Sequence, residues 1–417
     1  MNFKLKIIIA FILVYSAFCF LSLNRHSNGK IFTYHSEIWA DKAGYNVYLP
    51  SLFIYEFKAD QFPDSIETLT GNGFRKDAST NKIITKYPYG VSLLQSPFWL
   101  AAHAISPIKD GYSIFYQKSI DFAGSFYLTL GLFFLFFTVR RSYSFRFSIL
   151  LSLGIILSSG IFYYGIFETG MSHVYSFCCL SSLLFFLFDK ENHSKNFYYI
   201  LIASLLYIMI RPINIIFLGP LFLFLIYIKT ISFKFSDLKS IPKTRFIISA
   251  MIILMIALPQ FLYFNYAFGS MVTNSYKNEP FYFPTISRIA QMLFGPDNGL
   301  LIYYPILAAI IVYYIANKTP YRFLFATILL IYILLYSSWW SLSLGCSFGH
   351  RAINDIILII FLPILISDTK PSRIFLAALI IAVLINVKFI FSYDTCLHYS
   401  KDWDYSEYFS VLFGEFK

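Results

Sequence analysis

The sequence predicts an all-α polytopic membrane protein with about eleven transmembrane helices and juxtamembrane helices in its first large loop. Three observations predict it. The 417 residues are 58% hydrophobic and only 13% charged, with mean hydropathy +0.63, where soluble domains carry roughly 25% charged residues. The apolar residues come in repeated long runs rather than short amphipathic segments. No polar stretch is long enough to bury a core of its own; the largest, Asn24–Lys86, is loop-sized.

The first apolar run, Ile7–Leu23, follows Lys4 and Lys6. No small-x-small site precedes Asn24, Arg25 and His26, and Phe18 stands before Cys19 where a lipoprotein signal wants a small residue, so an uncleaved first helix is expected. The remaining spans are expected at 113–139, 146–166, 172–188, 197–210, 213–228, 246–267, 299–316, 322–338, 352–366 and 373–391, after a first span at 5–23. The pair 197–210 and 213–228 also reads as one helix kinked at Arg211-Pro212, since proline removes a backbone donor.

The run Tyr89–Ile105 decides the topology. As a span it puts Arg140, Arg141 and Arg146 outside; as a helix lying on the outer surface it leaves them inside. Basic residues favour the cytoplasmic side. With the surface helix, the inner segments 1–6, 139–147, 189–196, 229–245, 317–322 and 367–373 hold 16 of the 33 Lys+Arg and only 4 of the 22 Asp+Glu. All five Trp and six of the seven His then fall at or beyond the outer face, and Pro88, Pro97 and Pro107 suit an irregular surface helix. Residues 1–391 form the membrane domain, and 392–417 a short outer tail. The net charge of +11 is accounted for by these inner connectors. No basic patch interleaved with aromatics points to nucleic acid.

Acids, histidines and tryptophans therefore gather in the outer segments, the pattern of an enzyme with an external site. A transporter would more often hold its ionisable groups at mid-membrane. Asp41, in W-A-D-K-A-G-Y, lies just beyond the first span among Trp39, Tyr45, Tyr48, Phe53 and Tyr55, with Tyr45 a candidate stacking platform for the sugar or acceptor. A partly desolvated carboxylate there is a general-base candidate; the plainer alternative is a loop acid pairing with Lys42. Glu168, in a tight outer turn at bilayer depth, needs a partner or water and is the second catalytic candidate beside Asp41. His173 follows at the top of the next helix, suited to a phosphate or simply to capping the turn. Lys86 opens K-Y-P-Y-G before the surface helix and is a candidate phosphate contact or a headgroup lysine. Arg211 lies within an apolar stretch, and its planar fork suits phosphate or carboxylate; Glu168 is its structural alternative. In S-S-W-W-S-L-S-L-G-C-S-F-G-H-R, Trp339 and Trp340 read as an interface belt or as platforms for sugar rings, and His350 and Arg351 as phosphate donors.

Of the five cysteines, Cys19, Cys178 and Cys179 fall in apolar runs. Cys346 and Cys396 fall in segments placed outside the membrane, where a bridge between them is open, while the odd count argues against a designed disulfide set. There is no H-E-x-x-H, C-x-x-C, D-x-D, P-loop or G-x-G-x-x-G. No metal and no cofactor are expected, and the energy for any transfer comes from an activated lipid substrate.

Taken in order, the acid after the first span, K-Y-P-Y-G, the arginine-ended T-V-R-R, the R-P-I-N bend, L-F-G-P-D-N-G-L-L-I-Y-Y-P and W-W-x-x-x-x-G-C-S-F-G-H-R resemble integral-membrane glycosyltransferases of the GT-C superfamily. The nearest branch is the bacterial one around protein O-mannosyltransferases and aminoarabinose-lipid A transferases. The resemblance runs to about residue 391. It implies inverting transfer from a polyprenyl-phosphate sugar to a hydroxyl of a lipid, glycan or protein, on the outer, periplasmic face of the cytoplasmic (inner) membrane. It makes Asp41 the base, Lys86 the contact to the donor phosphate, Arg211 and Arg351 further phosphate contacts, and Glu168 the family's acid in the turn before the fourth span. The sequence departs from the family where Lys42, rather than a second acid, follows Asp41, with Glu37 upstream, and where some members carry a large C-terminal soluble domain. The competing readings are a transporter or flippase of lipid-linked oligosaccharide and an O-antigen polymerase or ligase.

Overall fold

The computed structural model describes residues 3–25, 31–189, 192–228, 242–277, 279–317, 322–367, 371–394, 396 and 403–414. Parts of the basic connectors expected at 1–6, 189–196, 229–245, 317–322 and 367–373 lie outside them. The described chain is mostly helical. Among the described residues, four helices are long and apolar enough to cross a membrane: Lys4–Arg25, Ile114–Arg140, Lys243–Phe268 and Arg373–Ser392. Shorter apolar helices cover Phe145–Leu157, Ser172–Leu187, Lys195–Ile210, Pro212–Tyr227, Ile306–Ala316 and Arg322–Ser338.

Where an expected span is interrupted, a local cause is visible. The run at 146–166 ends as a helix at Leu157 and restarts at Ile161. A Cβ on Gly160 would lie 2.5 Å from the Tyr304 hydroxyl and 2.6 Å from Asn354 Nδ2, so only glycine lets those groups reach the backbone. Asn386 Nδ2 donates to the carbonyls of Leu157 and Ser159, each at 2.8 Å, satisfying helix-end acceptors. The run at 299–316 breaks before Pro305, which has no amide to donate. Residues 197–228 form two helices rather than one kinked helix. Arg211, extended at φ −146°, separates them, as the residue before a proline prefers.

The chain divides into two compact units, Met1–Phe133 with Tyr164–Ile215 and Leu225–Tyr276, and Phe134–Tyr163 with Ile216–Phe224 and Lys277–Lys417. In the first, Tyr48, Phe62, Phe74, Trp99, Tyr116 and Tyr263 belong to one buried cluster. The helix Gly90–Ile105 belongs here; Ser92, Gln95, Trp99 and Ala102 are among its buried residues. The short antiparallel hairpin Arg75–Asp77 with Lys82–Ile84 is a small departure from the all-helical expectation. Asp77 holds its turn, accepting from the amide and hydroxyl of Ser79.

In the second unit, Phe348 packs among Tyr163, Tyr303, Phe389 and Tyr393. Cys346 and Cys396 form a disulfide, the bridge the sequence left open although the odd cysteine count argued against a designed set. The remaining three cysteines are buried and free. The tail helix Tyr405–Phe413 is tied down by Tyr408, whose hydroxyl donates to the Ile302 carbonyl at 2.9 Å, and by Tyr405, which donates to the Phe294 carbonyl at 3.0 Å.

Candidate active site

Asp41 is the first residue of the short helix Asp41–Asn46. The chain enters that helix through Ala40 at φ 46°, a left-handed conformation that costs a non-glycine residue on the order of 1–3 kcal/mol. Backbone bonds hold it there: the Ala40 amide donates to Thr70 at 2.8 Å, and the Gly44 amide donates to Ala40 at 3.0 Å. The turn before the hairpin lies directly against this helix start. A Cβ on Gly73 would sit 1.8 Å from the Ala40 carbonyl oxygen, and one on Gly44 would sit 2.3 Å from that of Gly73.

The Tyr87 hydroxyl donates to Asp41 Oδ1. Burial, then the negative charge of Asp41, push the Tyr87 phenol well above its ordinary value, so it remains a donor. Lys86 Nζ lies 5.3 Å from the ring centroids of both Tyr87 and Tyr276, which meet edge to face. Asp41, Tyr87, Lys86, Arg75 and Glu67 all line one cleft of about 520 Å³. The structure therefore brings the expected base and the expected phosphate contact together.

Behind the cleft lies a group the sequence reading did not assemble. Lys42 is 3% exposed, and its Nζ is 2.8 Å from Glu168 Oε2. Its partner is thus Glu168. The Thr169 hydroxyl lies 2.6 Å from Glu37 Oε2 and 3.2 Å from Asp121 Oδ1. The Ser22 hydroxyl donates to the same Asp121 oxygen at 2.7 Å. Burial, then the charge of Asp121, raise the Glu37 carboxyl well above the usual range and favour its neutral form. Burial opposes the Lys42 charge, but Glu168 and Glu37 outweigh it and hold its pKa above the ordinary value. Glu168, expected to act in catalysis, is buried in this ion pair.

The other expected residues take varied positions. Tyr45 is buried, with its ring 4.7 Å from that of Tyr87, so it backs the cleft wall instead of offering a face to a sugar. Arg211 is half-buried, its Nη1 3.5 Å from Nδ1 of the buried His173. In the second unit, His350 is fully buried between the rings of Tyr332 and Tyr336 and is bonded to the Tyr332 hydroxyl. That burial corrects its expected role as an accessible phosphate donor. Arg351 opens the turn Arg351–Asp355. Trp339 packs edge to face on Phe281 at 4.9 Å, and exposed Trp340 donates from Nε1 to Glu279 Oε2 at 3.0 Å.

Tyr87, Asp121 and Thr169 are the residues sequence reasoning passed over. Asp121 had a signal, the one acid in the mostly apolar helix Ile114–Arg140. Tyr87 stood within K-Y-P-Y-G, but nothing in its spacing paired it with Asp41. Among the described residues, no group of three or more His, Cys, Asp or Glu is arranged to hold a metal ion. No family model, curated protein or solved structure matches this chain.

Proposed function

We propose that the chain is a GT-C-type membrane glycosyltransferase that moves a sugar from a polyprenyl-phosphate donor to an acceptor hydroxyl, with inversion and with Asp41 as the base. The observation that carries this reading is the single cleft lined by the Asp41 carboxylate, the Tyr87 hydroxyl and the Lys86 ammonium. The acceptor oxygen attacks the anomeric carbon on the face opposite the phosphate. The bond from that carbon to the phosphate oxygen breaks, and the phosphate leaves with the electron pair. Asp41 takes the acceptor's proton. Tyr87, bonded to Oδ1, orients the carboxylate for that step. Lys86 offsets charge gathering on the departing phosphate, an electrostatic effect that is often the larger share of such catalysis.

The disulfide supports the orientation. Such bridges persist in oxidising compartments. Counting spans puts Cys346 and Cys396 outside if 89–105 lies on the membrane and inside if it crosses. The bridge therefore favours eleven spans; Asp41, directly after the first span, falls on the outer face of the cytoplasmic membrane in either count.

The test is transfer from a panel of radiolabelled polyprenyl-phosphate sugars in membranes carrying wild type or Asp41→Asn. Label moved by wild type and not by the variant supports both enzyme and base. Equal transfer by both keeps the enzyme and moves the base to another acid. No transfer over a broad donor and acceptor panel, with folded protein, removes the reading. A transporter of lipid-linked oligosaccharide is the second reading, and the buried Glu37, Lys42, Asp121 and Glu168 group favours it, because charges at the edge of a spanning helix often serve transport. It would be chosen if Asp121→Asn abolished substrate movement while Asp41→Asn did not.

A further inference from the structure

On the second unit, the helices Phe145–Leu157 and Arg373–Ser392 enclose a groove of about 390 Å³. Its lining from the first helix falls at 146, 149, 150, 153, 154 and 157, one face of a helix. Every lining residue except Arg146 is apolar. Gly154 forms part of its floor: a Cβ there would meet Leu379 Cδ2 at 2.8 Å. Toward the far end, Asn386 reaches the Leu157 and Ser159 carbonyls. The contacts 154 to 379 and 157 to 386 advance together, so the two helices run parallel. Arg146 and Arg373, each in the first turn of its helix, therefore mark the same end. Both are exposed, and neither makes a hydrogen bond or ion pair among the described residues.

We infer that this groove is a binding site for an anionic phospholipid, with one acyl chain along the aliphatic floor and the phosphate at Arg146 and Arg373. The length agrees. Residues 146–157 rise about 16 Å at 1.5 Å per residue, close to half of a hydrocarbon core about 30 Å thick. The groove is thus one leaflet deep, with its cations at the headgroup end. Guanidinium groups suit a phosphate, whose oxygens match their fork of donors. The site is separate from the Asp41 cleft and does not depend on the transferase reading.

The experiment uses the full chain in detergent, delipidated and then titrated with phosphatidylglycerol or phosphatidylcholine, with bound lipid counted by native mass spectrometry and unfolding followed by temperature. Retention of phosphatidylglycerol over phosphatidylcholine is expected, with a higher Tm. Arg146→Gln and Arg373→Gln should each weaken phosphatidylglycerol binding about fivefold, the effect of one basic residue at an anionic surface. Arg322→Gln, which removes an exposed arginine at another helix start, should leave it unchanged. Ile380→Trp, at a groove residue 48% exposed, should fill the groove and reduce binding without disturbing the core. Equal binding of both lipids, or retention in the arginine variants, would overturn the inference. So would displacement of phosphatidylglycerol by a polyprenyl phosphate at equal concentration, which would give the groove to the donor lipid.

Discussion

Asp41 and Lys42 are neighbours in the chain and serve opposite sides of one short helix. Asp41 lines the cleft, while Lys42 is buried against Glu168. Asp41→Asn should lower transfer by about 100- to 10,000-fold, the usual contribution of a general base. Tyr87→Phe removes a hydrogen bond to a charged group, about 1.5–3 kcal/mol, and should lower kcat by roughly 10- to 100-fold. Lys42→Met should instead lower stability, by about 3–5 kcal/mol, because it leaves Glu168 buried without its counter-charge. Adding Glu168→Gln should restore most of the loss, and thermal unfolding of the two variants separates this from a catalytic effect. Glu37 carries the pH dependence. Its folded pKa is raised, so the native state binds more protons above the ordinary carboxylate range, and the stability this contributes falls as pH rises. Glu37→Gln should therefore gain Tm over wild type at pH 8, with the difference shrinking toward pH 4.5. An unchanged difference across that range would sink the assignment. Asp41 and Lys86 were legible because each stood beside a span with a recognisable role. The pairing of Lys42 with Glu168 was not, since the partners are far apart in sequence and only the tertiary fold brings them together.

Helix positions followed from hydropathy alone, because a run of apolar residues has few ways to satisfy its backbone except by coiling. The interruptions did not. Ser158, Ser159 and Gly160 carry a weak turn signal inside an otherwise apolar run that hydropathy reads straight through, and Tyr304, Asn354 and Asn386 occupy the break. The cleft depends on the same kind of close approach. Gly73 lies against the Ala40 carbonyl, and a Cβ would have only 1.8 Å. Gly73→Ala must push the hairpin turn away from the helix that starts with Asp41. The change should destabilise by about 1–3 kcal/mol, as overpacking does, and should depress transfer by more than that loss of folded protein explains. Gly219→Ala is the matched control: it lies in the helix Ile215–Tyr227 with nothing within 4 Å of a new Cβ. It should hold or slightly raise Tm, by up to about 1 kcal/mol in stability. Equal losses at both positions would mean that the measurement reports general intolerance of alanine and not the contact at Ala40.

At the scale of the molecule, the open matter is which side of the membrane each loop faces, and the disulfide is the handle on it. With three of the five cysteines in apolar runs, the sequence already left Cys346 and Cys396 as the two outside the membrane, but the odd count argued against a bridge and two expected spans separate them. The bridge closes a separation of 50 residues, and such a closure stabilises by about 2–4 kcal/mol. Reduction, or Cys346→Ser, should lower Tm accordingly. The same bond reports topology. In intact cells a membrane-impermeant maleimide should label nothing on the untreated protein, since Cys19, Cys178 and Cys179 are buried. After an impermeant reductant it should label Cys346 and Cys396, because only an outward-facing bridge meets both reagents. Labelling that requires permeabilised cells would put that loop inside: either Tyr89–Ile105 crosses and Asp41, ahead of it, stays outside, or the whole chain is inverted and Asp41 faces inward. The Asp41 cleft would then have to be tested for chemistry in place, by transfer assays in sealed vesicles of each orientation.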